Sequence, residues 1–410
     1  MSDARASRYA LAFIFVTMFV DTVGLGIIIP VTPKIIAQLT GQGMSEAARY
    51  GGWLFFVYAL MQFLFAPLIG NLSDRFGRRP VLILALTALS FDYLITGLAP
   101  TVWWLFVGRT LSGMAGASYT TANAYIADVS PPEKRAANFG LVGAAFGLGF
   151  IVGPAIGGLL GAFGPRVPFF VSAVLAILNA LFGLLVLKES LDPAHRRKFE
   201  LARANPLGAL GLLKRFPALF GLFAVVILMR LAHDANPAVF TYYTMLKFGW
   251  TMQTVGWAMM VMGALIMFVY GVLTRIVIPR IGEARAVIFG LVAGASAFAL
   301  YAFATKGWQM FAGMAVFSLW GLSSPALNAI MSRMAPPTEQ GELQGVLASI
   351  GSLTSIAAPP LLTNLFGYFT SAAAPVYFPG AAFLAGSIFL VAAAATFARA
   401  RPHAALSPAE

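Results

Sequence analysis

Twelve apolar runs, each long enough to cross a bilayer, constrain this chain more than any other feature. A helix needs roughly 20 apolar residues to span the hydrocarbon core of a membrane. Of the 410 residues, 59% are hydrophobic and only 10% are charged. The runs cover residues 9–31, 50–69, 81–99, 102–124, 139–161, 168–187, 216–238, 253–274, 286–304, 308–331, 344–366 and 376–398. The sequence therefore predicts an all-α membrane protein with 12 transmembrane helices, and it excludes a soluble domain.

The distribution of basic residues predicts the orientation of these helices. With both termini in the cytoplasm, 20 of the 27 Lys and Arg residues fall in cytoplasmic segments and five in outer loops. Basic residues near the ends of a span resist translocation. We therefore expect a multi-pass protein of the inner membrane with both termini cytoplasmic. The formal net charge of +12 then belongs to the inner membrane face, so nucleic acid is not an expected partner.

A hydrophilic segment divides the chain near its middle. Residues 188–215 carry seven basic residues and separate six runs from six. We expect an N-terminal six-helix bundle over 1–187, a cytoplasmic linker over 188–215, a C-terminal six-helix bundle over 216–398 and a cytoplasmic tail over 399–410. A degenerate repeat makes the bundles pseudo-symmetric, because Gly282 and the arginines around it stand where the first half has its charged loop.

The composition argues against an enzyme. The chain has no cysteine and only three histidines. A thiolate nucleophile is therefore impossible, and a multi-histidine metal site is not expected. The sequence shows neither a serine–histidine pair nor a nucleotide-binding loop. We expect no metal and no cofactor.

One charged stretch, residues 70–80, lies between the second and third runs. It contains Gly70, Asp74, Arg75, Gly77, Arg78 and Arg79. A connection of about ten residues makes the flanking helices antiparallel neighbours, and the Asp74 carboxylate can pair with the arginines there. A plain basic anchor at the membrane face is one interpretation. A conformational latch between the helices is the other.

Three ionisable residues of the first four runs are candidates for proton coupling. Asp21 lies in the first run, where a charge is costly. If Asp21 forms a buried ion pair instead, Arg109 of the fourth run is the candidate partner. Asp92 lies in the third run, and we expect it to be more exposed to water than Arg109. Arginine stays charged, so a carboxylate that alternates between burial and pairing with it takes up and releases a proton. A static ion pair that holds the bundle together is the alternative.

The seventh run carries a second ionisable cluster, Arg230, His233 and Asp234. These positions share a helix face, so Arg230 can pair with Asp234. His233 titrates near physiological pH, and His233 with Asp234 forms a second candidate proton site. The alternative is an internally paired helix that is kinked around Pro237.

The fifth run carries a glycine at every fourth position. Gly149, Gly153 and Gly157 fall on one helix face, and Pro154 and Gly158 stand beside them. A face of bare backbone allows close approach of another helix, and proline adds a bend. Tight packing and an antiporter motif are both open interpretations.

Polar and amphipathic side chains within the apolar runs are candidate substrate-cavity residues. They are Gln62, Tyr119, Asn123, Tyr242, Tyr243, Trp320 and Asn328. Each one alone is also compatible with a core or lipid-facing position. As a set they indicate a large, mostly apolar pocket with a few hydrogen-bonding groups.

The charged stretch is similar to the signature between the second and third helices of major facilitator superfamily transporters. Gly153 to Gly158, which reads Gly-Pro-x-x-Gly-Gly, resembles a motif of antiporters in that superfamily. With Asp21, Asp92 and Arg109, the resemblance runs nearly end to end to the tetracycline-exporter-like group of its drug:proton antiporter branch. It implies two six-helix bundles and alternating access, in which proton entry drives substrate exit.

The C-terminal half departs from the tetracycline-exporter pattern. Ile266 and Gly294 stand where those exporters carry a histidine and an aspartate. Neither replacement can take a proton or approach a drug–metal chelate with charge. The departure favours a different amphiphilic substrate, with an anionic group facing Arg230.

These observations together predict a proton-coupled antiporter that exports amphiphilic small molecules, drug-like or lipid-like. We expect a monomer whose partners are this substrate, protons and membrane lipids. A proton-coupled uptake symporter, or a lipid or metabolite transporter of the same fold, stays open. A non-transporting receptor or scaffold is the alternative of another class, but it gives no reason for acids inside the spans.

Overall fold

The computed structural model describes residues 3–116, 118–197 and 208–400, and this part of the chain contains helices and their connections with no β-strand. The helices are α1 (Asp3–Ile28), α2 (Thr32–Thr40), α3 (Met44–Phe76), α4 (Arg78–Leu98), α5 (Val102–Ala115), α6 (Ser118–Val129), α7 (Pro132–Gly161), α8 (Val167–Val186), α9 (Phe220–His233), α10 (Ala235–Phe248), α11 (Met252–Phe268), α12 (Thr274–Ile281), α13 (Glu283–Phe303), α14 (Trp308–Ser318), α15 (Ser323–Met334), α16 (Gln340–Phe369) and α17 (Ala381–Arg399). A π-helical turn (Val269–Leu273) joins α11 to α12, and a 3₁₀ turn (Leu319–Leu322) joins α14 to α15.

Eleven helical stretches of the described chain are long and apolar enough to cross a membrane. They correspond to eleven of the predicted spans. The exception is the span predicted over 102–124, where α5 ends at Ala115 and α6 begins at Ser118. Glycine is a poor helix former, and Gly113 and Gly116 lie at the end of α5. The carbonyl of Gly116 accepts a hydrogen bond of 3.3 Å from the side chain of Gln62.

The expected loop over residues 70–80 is wrong in extent. Helix α3 continues to Phe76 and α4 begins at Arg78, so Gly77, with φ +106°, is the whole connection. Hydropathy marks where the hydrocarbon ends, whereas a helix can continue into the polar interface, where charged side chains are solvated. The same geometry recurs at Gly282, with φ +80°, between α12 and α13. Both turns need a backbone conformation that glycine adopts most readily.

The chain forms two compact units. Unit 1 contains α1, α2, most of α3, α4 to α8 and the segment Trp250–Met260. Unit 2 contains the segment Met44–Trp53, α9, α10, the rest of α11 and α12 to α17. The predicted bundle boundaries at 187 and 216 stay a prediction.

Each unit has its own packed centre. In unit 1, residues of α1, α4, α6 and α7 form a buried apolar cluster that includes Phe13, Leu82 and Tyr125. In unit 2, aromatic rings of α10, α13, α14 and α17 meet, and the Phe298 and Phe383 ring centroids lie 5.9 Å apart. Lipid is as apolar as leucine, so helices associate through such close packing rather than through exclusion of water.

The glycine face of α7 packs against α1. A Cβ atom on Gly153 would lie 2.8 Å from the Cα atom of Gly26, and one on Gly157 would clash with the carbonyl oxygen of Ile27. A Cβ atom on Gly149 would lie 2.7 Å from the Cβ atom of Thr22. The two backbones therefore approach as closely as glycine permits, and the packing interpretation of this face is confirmed.

Replacing one glycine of this face should loosen unit 1. We expect Gly157→Ala to lower the midpoint of thermal unfolding of the purified protein in detergent, because the added methyl group must push α1 away from α7. Overpacking of this kind typically costs about 1–3 kcal/mol. The matched control is Gly147→Ala in the same helix, where a Cβ atom would meet nothing within 4 Å. Equal midpoints for the two variants would contradict the close approach.

Candidate functional site

A cavity of about 130 Å³ in unit 1 contains the carboxylate of Asp21. Helix α1 contributes Asp21, α3 contributes Tyr58 and Gln62, and α5 contributes Ser112. Asp21 is half-buried, and its Oδ1 atom is buried with no hydrogen-bond partner within the described residues. A buried polar atom without a partner is costly, so this carboxylate requires either a proton or a ligand that donates a hydrogen bond.

Arg109 pairs with Asp92 and not with Asp21; the sequence had left both acids open as its partner. Arg109 Nη2 lies 2.6 Å from Asp92 Oδ2, and Thr96 Oγ1 donates a 3.3 Å hydrogen bond to Asp92 Oδ1. The expected order of exposure is also wrong, because the Asp92 side chain is 0% exposed and that of Arg109 is 17% exposed. A Cβ atom on Gly108 would clash with Asp92 Oδ1. Glycine at this position therefore lets α4 and α5 approach closely enough to bury the ion pair.

Unit 2 holds a larger cavity of about 280 Å³. Its wall is mostly apolar and aromatic, with Phe317 and Trp320 among the lining residues. Tyr270, Ser324 and Asn328 contribute polar groups. The cavity therefore has the character of a small-molecule site, in which apolar walls surround a few polar groups.

The ionisable cluster of the seventh span lies at this cavity. Arg230 and His233 line it, and both side chains are exposed. The Nδ1 atom of His233 lies 3.4 Å from Asp234 Oδ1, while Asp234 Oδ2 is buried without a hydrogen-bond partner in the described structure. The expected pairing of Arg230 with Asp234 does not form. Asp234 lies one helical turn from Arg230, with its N–H donating to the Arg230 carbonyl oxygen, but its Oδ1 atom faces the His233 ring.

Three departures from the α-helix meet at the unit 2 cavity. They are the gap at Asp234, the π-helical turn that holds Tyr270 and the 3₁₀ turn that holds Trp320. Tyr270 and Trp320 line the cavity, and Asp234 directly follows the lining residue His233. Irregular backbone at membrane depth is tolerated where it lines a cavity, and π-helical turns are frequent at functional sites. The sequence signals only one of the three, through Pro237.

The charged stretch at the end of α3 belongs to a polar network in unit 1. Arg78 Nη1 lies 2.5 Å from Asp74 Oδ1, and Arg78 Nε lies 3.2 Å from Asp128 Oδ2. The Glu189 carboxylate accepts hydrogen bonds of 2.8 and 3.3 Å from the backbone N–H groups of Arg78 and Arg79. Sequence analysis missed Asp128 and Glu189. Each is an acid that follows shortly after an apolar run, and this position is the signal that could have identified them.

The other predicted latch residues differ in their contacts. A Cβ atom on Gly77 would clash with Glu189, whereas one on Gly70 would meet nothing within 4 Å. Arg79 donates a 2.6 Å hydrogen bond to a backbone carbonyl of α8. Arg75 is exposed, with its guanidinium over the ring of the adjacent phenylalanine.

Unit 2 repeats one bridge of this network with the charges exchanged. In unit 1, Arg78 directly follows the turn at Gly77 and pairs with Asp128 near the end of α6. In unit 2, Glu283 directly follows the turn at Gly282 and pairs with Arg333 near the end of α15. The Nη1 atom of Arg333 lies 2.7 Å from Glu283 Oε1. The degenerate repeat is therefore visible as the same contact with opposite polarity.

The predicted antiporter motif also contacts α11. A Cβ atom on Gly158 would lie 2.7 Å from the carbonyl oxygen of Met252 and 3.2 Å from the Cα atom of Gly256. One on Gly256 would clash with the carbonyl oxygen of Pro154. Gly256 was not identified from the sequence, because a single glycine in an apolar run carries no pattern.

The predicted cavity residues fall into three groups. Gln62 lines the unit 1 cavity, and Trp320 and Asn328 line the unit 2 cavity. Tyr242 and Tyr243 are buried packing residues, and Tyr243 donates a hydrogen bond to the carbonyl of Tyr301. The remaining two residues lie in α6, where Asn123 is half-buried and lines neither cavity and the side chain of Tyr119 lies outside the described residues.

Comparison with known proteins identifies related sequences and structures. The sequence matches the profile of the Major Facilitator Superfamily over residues 14–359 and 235–410. It is 38% identical to tetracycline resistance protein, class C, of Escherichia coli, over 88% of this chain and 90% of that protein. It is 31% identical to multidrug resistance protein 2 of Bacillus subtilis (strain 168), over 85% of this chain and 86% of that protein.

A solved structure shows the same fold. The crystal structure of the nucleoside transporter NupG superposes with a TM-score of 0.76 at 14% identity, covering 95% of this chain and 98% of that one. A sequence identity this low supports a shared fold and nothing more. Together with the sequence matches, it confirms the predicted fold class, an all-helical membrane protein with the architecture of major facilitator transporters.

Removing the arginine of the buried pair should destabilise unit 1 strongly. We expect Arg109→Ala to cost about 3–5 kcal/mol of stability, because it leaves the Asp92 charge buried without compensation. The control is Arg215→Ala, which breaks a 2.8 Å bridge to Glu342 between side chains that are 57% and 33% exposed. An exposed pair is worth at most about 1 kcal/mol. Thermal unfolding in detergent compares the two, and similar midpoints would contradict the burial of the pair.

The turn between α3 and α4 should tolerate no side chain. We expect Gly77→Ala to cost about 1–3 kcal/mol, because it forces a non-glycine residue into a rare backbone conformation and displaces Glu189. Gly70→Ala is the matched control in the same stretch and should leave the unfolding midpoint unchanged. A neutral Gly77→Ala would show that the turn is not under this constraint.

Proposed function

Because this chain belongs to the Major Facilitator Superfamily, we propose that it is a proton-coupled antiporter that exports amphiphilic small molecules. The family makes the chain a multi-pass membrane transporter and not an enzyme. Relatives named for tetracycline resistance and multidrug resistance support a small-molecule substrate and export as the direction. Relatives in bacteria and the basic inner segments support the inner membrane, with both termini in the cytoplasm.

The observation that carries the proton coupling is the Asp21 carboxylate in the unit 1 cavity. One of its oxygens is buried without a hydrogen-bond partner in the described structure. Desolvation disfavours the charged form of a carboxylate, and contact with water or a cation favours it. A group at the wall of a cavity meets both conditions as that cavity opens and closes. Proton binding at Asp21 is therefore linked to the conformational change.

The Asp92–Arg109 pair has a different role in this proposal. Asp92 has no exposed surface and is held by Arg109 and Thr96. It holds Arg109 of α5 against α4, and both helices contribute residues to the wall of the cavity that contains Asp21. The pair thus stabilises the part of unit 1 in which Asp21 exchanges its proton.

The proposal also assigns roles to the remaining predicted sites. In unit 2, His233 and Asp234 form a second proton site, and the cavity beside them receives the substrate. The Arg78 network acts as a latch that is released during transport. The glycine contacts of α7 keep the adjacent helices closely packed against it while the protein changes conformation. The bundles over 1–187 and 216–398, joined by the linker 188–215 and followed by the tail 399–410, alternate access as a monomer.

Neutralising Asp21 should uncouple transport from the proton gradient. Everted membrane vesicles that contain the protein are energised and supplied with tetracycline, ethidium or dansylglycine as probes. We expect the wild type to accumulate at least one probe, and an uncoupler to abolish this accumulation. Asp21→Asn should reduce accumulation to the level of vesicles without the protein, because the amide cannot take up the proton. Asp192→Asn, at an exposed acid in the linker, is the control and should transport normally.

The same vesicles distinguish the alternatives. Gradient-driven accumulation by Asp21→Asn at the wild-type rate would contradict the role of this carboxylate. Accumulation in right-side-out vesicles with an acidic exterior, and none in everted vesicles, would support an uptake symporter instead. Absence of transport of every probe in both orientations would favour a receptor or scaffold.

A further inference from the structure

The charge of Arg230 has no counter-ion in the unit 2 cavity. None of the described acids lies within ion-pair distance of its guanidinium. Asp234 is one helical turn away, but its Oδ1 atom is turned to the His233 ring at 3.4 Å. The lining residues include no acid at all. The cavity therefore carries an uncompensated positive charge.

Trp320 supplies a second unpaired donor to the same cavity. Its side chain lines the cavity and is only 7% exposed, and its Nε1 atom is buried without a hydrogen-bond partner in the described residues. An indole nitrogen is a donor and never an acceptor. The cavity thus contains two hydrogen-bond donor groups without acceptors, and one of them is cationic. A ligand that supplies acceptors would satisfy both.

The rest of the wall selects an aromatic ligand. Phe317 and Trp320 pack edge to face with centroids 5.5 Å apart, and the His233 ring lies 6.0 Å from that of Trp320. Ile266 adds an aliphatic side chain. Aromatic and aliphatic walls bind a flat apolar group, while they offer no carboxylate to a cationic one.

We propose that the unit 2 cavity binds an aromatic organic anion, whose carboxylate or sulfonate accepts hydrogen bonds from Arg230 and Trp320. This inference rests on the proposed function, because it names the chemical class of the exported substrate. The guanidinium provides the charge and the indole N–H provides a second contact. The aromatic part of the ligand packs on Phe317 and Tyr270. A cation of the same size meets the Arg230 charge and is disfavoured.

The test compares three probes that share one aromatic group. Dansylglycine is anionic, its amide is neutral and dansylethylenediamine is cationic. Each is titrated into the purified full-length protein in detergent, at neutral pH and without any gradient, and binding is followed by dansyl fluorescence. We expect dansylglycine to bind at least tenfold more tightly than the other two.

Variants assign this preference to the two donors. Arg230→Gln should remove the preference for the anion while leaving the affinity for the amide unchanged, which also shows that the variant is folded. Arg230→Lys should keep part of the preference. Trp320→Phe should weaken dansylglycine more than the amide, because it deletes the indole N–H and keeps an aromatic ring. Arg280→Gln, at an exposed arginine that does not line the cavity, is the matched control and should behave as wild type.

Several results would overturn the inference. They are a wild type that binds the amide or the amine as tightly as the anion, a preference that survives in Arg230→Gln, and no measurable binding of dansylglycine at millimolar concentration. The proposed function fails separately. Gradient-driven export of ethidium or tetracycline without anion preference would leave the antiporter intact and refute the anion site. Anion preference in detergent without any gradient-driven transport would support the anion site and contradict the antiporter.

Discussion

The hydrocarbon interior of a membrane offers no partner to a backbone N–H or C=O group, and the rest of the structure depends on this constraint. Its solution is the α-helix, in which the chain satisfies its own backbone. Within the described residues, the interruptions at membrane depth are few. The step from α5 to α6 lies at the unit 1 cavity, and the irregular segments at Asp234, Tyr270 and Trp320 lie at the unit 2 cavity. The constraint is relaxed where a cavity supplies polar surroundings, so broken helices and candidate sites coincide.

The same constraint explains how much the sequence could predict. Run length depends on bilayer thickness, so eleven spans and the all-helical class follow from hydropathy. The glycine face of α7 follows from its four-residue period, and its contact with α1 fits the need for small residues between helices in lipid. The ten-residue loop over 70–80 was wrong because hydropathy reports the solvent and not the backbone. Only the φ of +106° at Gly77 reveals where the chain turns.

Pairing between distant residues could not be predicted, because it depends on helix rotation and approach. Arg109 had two acids within plausible reach, and the choice of Asp92 depends on the lack of a side chain at Gly108. The seventh span shows the same limit. Residues 230 and 234 do lie one helical turn apart, but the Asp234 carboxylate faces His233 and not Arg230. In both cases a local detail, a missing side chain or the direction of a carboxylate, decides which charge is left unpaired.

The two cavities consequently hold unpaired groups of opposite sign, and this has a consequence for energetics. Asp21 in unit 1 is suited to a proton, and Arg230 in unit 2 is suited to an anion. Inward movement of one proton in exchange for outward movement of one monovalent anion transfers two charges in the same electrical sense. Each charge is worth about 2.3 kcal/mol per 100 mV. The membrane potential therefore contributes about twice as much to export of an anion as to one-for-one export of a neutral molecule. It contributes nothing to one-for-one exchange of a proton for a monovalent cation. Under the proposed anion export, the arginine at the unit 2 cavity thus affects the driving force as well as the specificity.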